Sequence, residues 1–315
     1  MNQEQQLLPF AGAQSSHPDP KNGRRRAALL IHGLGGTEYD LGRLRAVLDE
    51  QGVDAYVVAL PGHGTRPEDL LGLRAEDWLD VVSTEYLRLS AQYKTLHVVG
   101  VCLGALLAIE VCKLMEHNKG KLVTLAAPLR LDGWSVPWYR AIRHVLYWIP
   151  SVARRWRVSE AEPYGIKNER IRRLVRGMLK RGDAFHYPWV PLASVREADR
   201  LRSMAWKGVE RLKCPLMIMH ATDDELTAPE AARALQRRVK GSTLHLLDNS
   251  YHMICVDNER GHVMHRVANF LADNARGPGQ DAAAHAATHA AAPTATHADA
   301  RLRYAPRRGP GLMPT

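Results

Sequence analysis

The sequence predicts an α/β fold, a mostly parallel sheet flanked by helices, and three observations predict it. Short apolar runs alternate with segments whose apolar residues recur at helical spacing. The chain has 315 residues, enough for one such domain with an insertion. Two of the apolar runs lead into tight turns rich in glycine, His32-Gly33-Leu34-Gly35-Gly36 and Gly100-Val101-Cys102-Leu103-Gly104.

The elements follow in order. Ala27 to Ile31 is the first strong strand, and the turn after it offers backbone amides to a developing negative charge. This turn lacks both the G-x-G-x-x-G order and the Lys-Ser/Thr ending of a phosphate loop, which argues against a nucleotide. Thr95 to Val99 reads as a buried strand and Leu103 to Glu116 as a helix, so Cys102 falls on a sharp turn from strand to helix. Glycines on either side keep side chains out of that crossing. A helix N-terminus there favours thiolate over thiol, against the alternative of a buried structural cysteine. We expect the amides of Leu34 and Leu103 to form an oxyanion hole beside it.

Downstream, Cys214 to Ala221 is a strand running into Thr222-Asp223-Asp224-Glu225. A carboxylate just beyond a strand's C-terminal end is where open α/β sheets build their sites. Asp224 is the first choice for a catalytic acid and Asp223 the second, while either could instead be a solvated loop residue or cap the helix starting near Pro229. Ser242 to Leu247 is the next strand, and the polar loop after it carries His252, ahead of a helix ending near Asn274. Nucleophile, acid and histidine thus occur in the order Cys102, Asp224, His252, with the histidine as base.

The other histidines carry weaker signals. His97 and His245 fall in strands, His262 and His265 on the last helix, and His63 in the turn Pro61-Gly62-His63-Gly64; all read as structural or surface residues. Cys102, Cys112, Cys214 and Cys255 show no CxxC or CxxH spacing, so the expectation is no metal and no cofactor.

The stretches LLIHGLGG, VVALPGHG, GVCLGALLA, HATDDELTAP and NSYHMICVDNER together resemble the α/β-hydrolase superfamily. More narrowly, they are similar to small bacterial carboxylesterases and monoacylglycerol-lipase-like hydrolases. The resemblance covers roughly residues 24 to 275 apart from a divergent middle, and it implies nucleophile Cys102, acid Asp224, base His252 and oxyanion donors Leu34 and Leu103. It also implies hydrolysis of a small-molecule or lipid-like acyl ester. Most family members carry serine at the elbow. The cysteine seen here resembles that of dienelactone hydrolases and polyhydroxyalkanoate synthases. It makes the acyl-enzyme a thioester, which keeps a thioesterase or acyltransferase open as an alternative. A non-catalytic homologue binding lipid or protein is a third reading.

In this family a helical cap is inserted after the sixth strand, read here as Lys121 to Ala126, giving a cap at about residues 129 to 210. Residues 130 to 215 hold 19 Lys plus Arg against 8 Asp plus Glu, so this segment carries the excess of a chain whose net charge is +10. Trp134, Pro137, Trp138, Tyr139, Tyr147, Trp148 and Trp156 interleave there with Arg140, Arg143, Arg154, Arg155 and Arg157. Three readings compete: an aromatic face covering the active site under a solvated basic surface, a lid that meets a lipid or polymer surface, and nucleic-acid binding, which no recognition motif supports. Residues 1 to 23 are expected to be a flexible segment without a signal peptide, and residues 276 to 315, rich in Ala, Pro, Gly and His, a disordered tail. His285 and His289 in that tail stand four apart, the spacing of a metal pair on a helix, and carry little weight without one. No apolar run is long enough to span a membrane, and the cysteine usage suggests reduced thiols in the cytoplasm.

Overall fold

The computed structural model describes residues 25–136, 141–182 and 185–272. Both terminal segments and Pro137–Arg140 of the aromatic stretch lie outside the described residues.

The elements in chain order are β1 (Arg26–Ile31), α1 (Leu44–Glu50), β2 (Asp54–Val57), α2 (Ala75–Gln92), β3 (Thr95–Val101), α3 (Leu103–Leu114) and β4 (Leu122–Leu125). There follow α4 (Ile142–Leu146), α5 (Pro150–Arg155), β5 (Arg157–Ser159), α6 (Glu169–Arg181), β6 (Trp189–Pro191) and α7 (Leu192–Trp206). The chain then returns to the sheet with β7 (Leu216–Ala221), α8 (Pro229–Arg238), β8 (Thr243–Leu247) and α9 (Arg260–Ala272).

Six strands form one sheet in the order β2-β1-β3-β4-β7-β8, every neighbouring pair parallel. A sheet covered on both faces needs strands that are apolar on both sides, and β1 has this: Ala27, Leu29 and Ile31 face one core while Ala28 and Leu30 face the other. Residues of α2, α3, α7 and α8 fill the first core, Trp78, Leu106, Leu201 and Leu235 among them. Leu44 and Leu48 of α1 with Val263 and Val267 of α9 fill the second. Each such fully buried side chain contributes about 1.5–3 kcal/mol over leaving it in water.

The chain moves outward from β1 to β2 and then crosses back to β3 on the other side of β1, so the winding reverses between β1 and β3. Loops leaving the C-terminal ends of such a pair diverge and open a crevice. Ile31 pairs with Gly100, which brings the glycine turn after β1 beside the turn that bears Cys102.

Two details of the sequence reading need correction. The strand at 122–125 is the fourth in chain order among the described residues, and the segment after it is not wholly helical. β5 and β6 form a separate antiparallel ribbon, with Arg157 opposite Pro191 and Ser159 opposite Trp189. Arg157 lies over the Trp189 ring at 4.1 Å, a cation–π contact that covers the ribbon.

Candidate active site

Cys102 stands between β3 and α3 with φ 52° and ψ −120°, a conformation that costs a non-glycine residue energy and clusters at functional sites. The crossing explains the flanking glycines. A Cβ on Gly100 would lie 2.1 Å from the Gly104 carbonyl oxygen, and one on Gly104 would lie 2.1 Å from that of Ile31. Strand, turn and helix are therefore pressed backbone to backbone, and Cys102, half-buried, is held at the rim. Leu103 is the first residue of α3, so its N–H belongs to the first turn, which no intrahelical carbonyl reaches.

The turn after β1 lies directly against the thiol side chain: a Cβ on Gly33 would sit 3.2 Å from Cys102 Cβ and 3.7 Å from its Sγ. Asp40, nearly fully buried, accepts the Gly33 N–H at 3.0 Å and so ties down the start of the turn. On its other side Asp40 lies 3.5 Å from His186 Nδ1, whose Nε2 is 3.6 Å from Glu160. Burial alone would lower the His186 pKa, but the two carboxylates outweigh it and push it up to about 10. His186 is thus a cation that ties the segment between β4 and β7 to the glycine turn.

The acid and the histidine come from neighbouring strands, since Ala221 at the end of β7 pairs with Leu247 at the end of β8. His252 Nδ1 and Asp224 Oδ2 are 2.8 Å apart and both residues are buried. Asp224 is fixed by accepting from the backbone amides of Leu226 at 2.9 Å and Thr227 at 3.0 Å through its other oxygen. Asp223 points elsewhere, its carboxylate accepting from Lys167 Nζ at 2.8 Å in an exposed ion pair. Of the two candidates only Asp224 meets the histidine. Burial opposes a charge on His252, but the Asp224 carboxylate, and after it Cys102, raise its pKa well above the ordinary 6.5. Its Nε2 has no hydrogen-bond partner among the described residues.

Three residues around this pair, and Tyr187 at the turns after β1 and β2, escaped sequence reasoning. Glu225 accepts the His252 backbone N–H at 3.1 Å, and burial raises its own pKa. His220 lies 3.6 Å from Asp224 Oδ2 and bonds the Thr227 carbonyl through Nε2 at 2.9 Å. Asp257, fully buried, accepts three backbone N–H groups, from Lys167 at 2.7 Å, Asn168 at 2.8 Å and Tyr251 at 2.8 Å. Tyr187 donates to the Gly62 carbonyl at 2.8 Å, accepts the Thr65 N–H at 3.0 Å, and stacks on His63. His63, whose pKa burial lowers to about 4, bonds the Pro61 carbonyl through Nδ1 and packs edge-on to Trp78 and His32. His97 is likewise buried, its Nδ1 accepting the Lys121 N–H at 3.2 Å.

The aromatic face of the segment between β4 and β7 turns outward. No residue of α4 is buried; Trp148 is 87% exposed, Val145 64% and Ile142 55%. Two aromatic residues of this segment are anchored: Tyr147 donates to Asp199 at 2.8 Å beside Arg143, and Trp134 donates from its indole N–H to the Asp223 carbonyl at 3.0 Å and packs edge-on to Tyr251.

A parallel sheet whose winding reverses at β1 and β3, with a strained residue at that point and an acid–histidine pair in the loops after β7 and β8, is the arrangement of an α/β-hydrolase. Residues 28–266 match the model of the Alpha/beta hydrolase family, and the chain belongs to it. It is 23% identical over 256 residues to the thermostable monoacylglycerol lipase of Bacillus sp. (strain H-257), covering 78% of this chain and 90% of that one. It is 25% identical over 252 residues to a carboxylesterase of Bacillus subtilis (strain 168), covering 79% and 93%. Among solved structures, the monoacylglycerol lipase of Paleococcus ferrophilus superposes with a TM-score of 0.66 at 21% identity, over 79% of this chain and 95% of that one.

Proposed function

We propose that the protein hydrolyses carboxylic esters with an apolar acyl group, using Cys102 as nucleophile, His252 as base and Asp224 as the acid that orients it. One observation carries the reading: a cysteine at φ 52° at the start of a helix and a buried Asp224–His252 pair 2.8 Å apart all follow the C-terminal ends of strands of one parallel sheet. The esterase and lipase relatives support the reaction class.

His252, whose pKa the Asp224 carboxylate raises against the effect of burial, takes the Cys102 thiol proton on Nε2 as the sulfur attacks. The sulfur attacks the ester carbonyl, and the amides of Leu34 and Leu103 receive the oxyanion. As the tetrahedral centre collapses, the carbon–oxygen bond breaks and the alcohol leaves with the proton of His252 Nε2, giving a thioester on Cys102. Water then attacks the thioester, His252 takes its proton, and the acid departs as the sulfur is released. Asp224 keeps the Nδ1 proton on its own side, so Nε2 is the nitrogen that exchanges protons.

Residues 129 to 210 act in this reading as a cap. Its exposed Trp148, Val145, Ile142, Trp134 and Trp156, beside Arg154, Arg155 and Arg157, favour contact with an anionic lipid or polymer surface over a covering of the site. The four cysteines are free thiols, which fits a reducing compartment such as the cytoplasm; no described helix is long and apolar enough to cross a membrane.

The test incubates wild type, Cys102→Ser and Cys102→Ala with a panel of esters and acyl thioesters, following turnover and intact mass. Ester turnover with a transient acyl adduct, both lost in Cys102→Ala, is expected. An adduct discharged only to added alcohols would move the answer to acyl transfer, and preference for thioesters to a thioesterase. No adduct and no turnover on any substrate would overturn the enzymatic reading.

A further inference from the structure

The chemistry proposed above leaves a second group of reactive side chains unused, at the far end of the helix that Cys102 begins. Cys112 lies on the last turns of α3, His117 just past the helix, and Cys214 two residues before β7. Sequence spacing gave no metal motif here, yet the fold brings both Sγ atoms and one ring nitrogen of His117 within 4.8 Å of one another. All three residues are buried, at 1%, 1% and 6% exposure respectively.

The surroundings are those of a ligand set. His117 Nδ1 is 2.8 Å from Tyr86 Oη, while Nε2 is buried without a hydrogen-bond partner among the described residues. Leaving such a nitrogen unsatisfied costs about 1–3 kcal/mol. In the tautomer that donates from Nδ1 to the Tyr86 oxygen, Nε2 presents its lone pair, the second-shell arrangement that fixes a histidine for a metal. A Cys112–Cys214 disulfide would satisfy neither this nitrogen nor the need for an external oxidant.

We propose that Cys112, His117 and Cys214 bind a thiophilic divalent ion of the zinc type, at a site separate from the candidate active site. Binding forms two metal–sulfur bonds and one metal–nitrogen bond, and releases the two thiol protons to solvent. Two thiolates against a double positive charge leave the buried site neutral. Metal–sulfur bonds of about 2.3 Å in tetrahedral geometry put the sulfurs just under 4 Å apart, so the observed cluster has to contract by no more than about 1 Å. Three protein ligands leave the fourth position to a non-protein ligand.

The test titrates Cd²⁺ into full-length protein that has been reduced and stripped with chelator, reading sulfur-to-cadmium charge-transfer absorption, which histidines of the C-terminal tail cannot produce. One equivalent is expected in wild type and in Cys102→Ala, and none in Cys112→Ala or Cys214→Ala. Tyr86→Phe keeps all three ligands and should weaken Cd²⁺ binding about 10–100-fold, which separates loss of a ligand from loss of the fold. The same signal in the Cys112→Ala/Cys214→Ala double variant would overturn the proposal. So would its absence from wild type with free thiols, or isolation of the protein with Cys112 and Cys214 joined as a disulfide.

Discussion

Replacing Asp257 by asparagine tests how the histidine loop is held, independently of any substrate. The carboxylate is fully buried and accepts three amide protons, two at Oδ2, from Lys167 and Tyr251, and one at Oδ1, from Asn168. The amide of asparagine can keep its oxygen toward two of these donors, but its NH₂ must then face the third, placing donor against donor. One buried N–H loses its partner and two bonds lose their charge. Hydrogen bonds to a charged group are worth about 1.5–3 kcal/mol and neutral ones about 1, so Asp257→Asn should destabilise the protein by about 2–4 kcal/mol. For a domain of this size each kcal/mol lowers Tm by about 2–4 °C, so a fall of about 5–15 °C is expected by calorimetry. Hydrogen exchange should speed up at the amides of Lys167, Asn168 and Tyr251 before it does in β1 or β3. An unchanged Tm, or exchange that quickens uniformly, would refute the view that Asp257 fastens the loop next to His252.

Asp224→Asn preserves shape but inverts the hydrogen bond to His252 Nδ1, and it should lower kcat for ester hydrolysis about 10⁴-fold with little change in KM, measured at saturating substrate. The raised pKa of His186 gives a pH signature. Its contribution to stability is fully present below the ordinary value of 6.5, declines as pH rises, and is gone above about 10; melting curves across that range should fall less steeply with pH in His186→Gln, and identical slopes would remove His186 from the account. Burying a side chain the size of Trp148 is worth about 1.5–3 kcal/mol, so Trp148→Ser should weaken binding to anionic phospholipid vesicles about 10–150-fold. Turnover of a water-soluble ester should be unaffected.

The parts legible in the sequence are those encoded locally. β1, β3, β7 and β8 are apolar runs flanked by turn residues, and a side chain on a strand-to-helix turn is announced by its two glycines. Order along the chain also carried the Cys102, Asp224 and His252 candidates. What the sequence could not separate was Asp223 from Asp224, since both follow β7 directly; the choice is made by the amides of Leu226 and Thr227, which turn one carboxylate inward. The supports of the site are illegible for a related reason. Asp40 meets His186 across 146 positions of chain, and Asp257 meets Lys167 across 90, so no window of sequence contains both partners. Periodicity found an apolar face near α4, but an apolar face says only that something covers it, and Ile142, Val145 and Trp148 of that face stand exposed. The short β5–β6 ribbon, three residues a side, is below the length at which alternation is visible.

Because all six strands run the same way, the rim holding Cys102 and His252 is a sheet's height away from the turns that lead into the strands. Lys94 and Lys119 stand exposed at those opposite turns, ahead of β3 and β4. A protein tethered to a solid support through these amines would present its reactive edge to the surrounding liquid. The same tether would stand close to Cys112 and Cys214, leaving the two ends of α3 to be addressed from opposite directions.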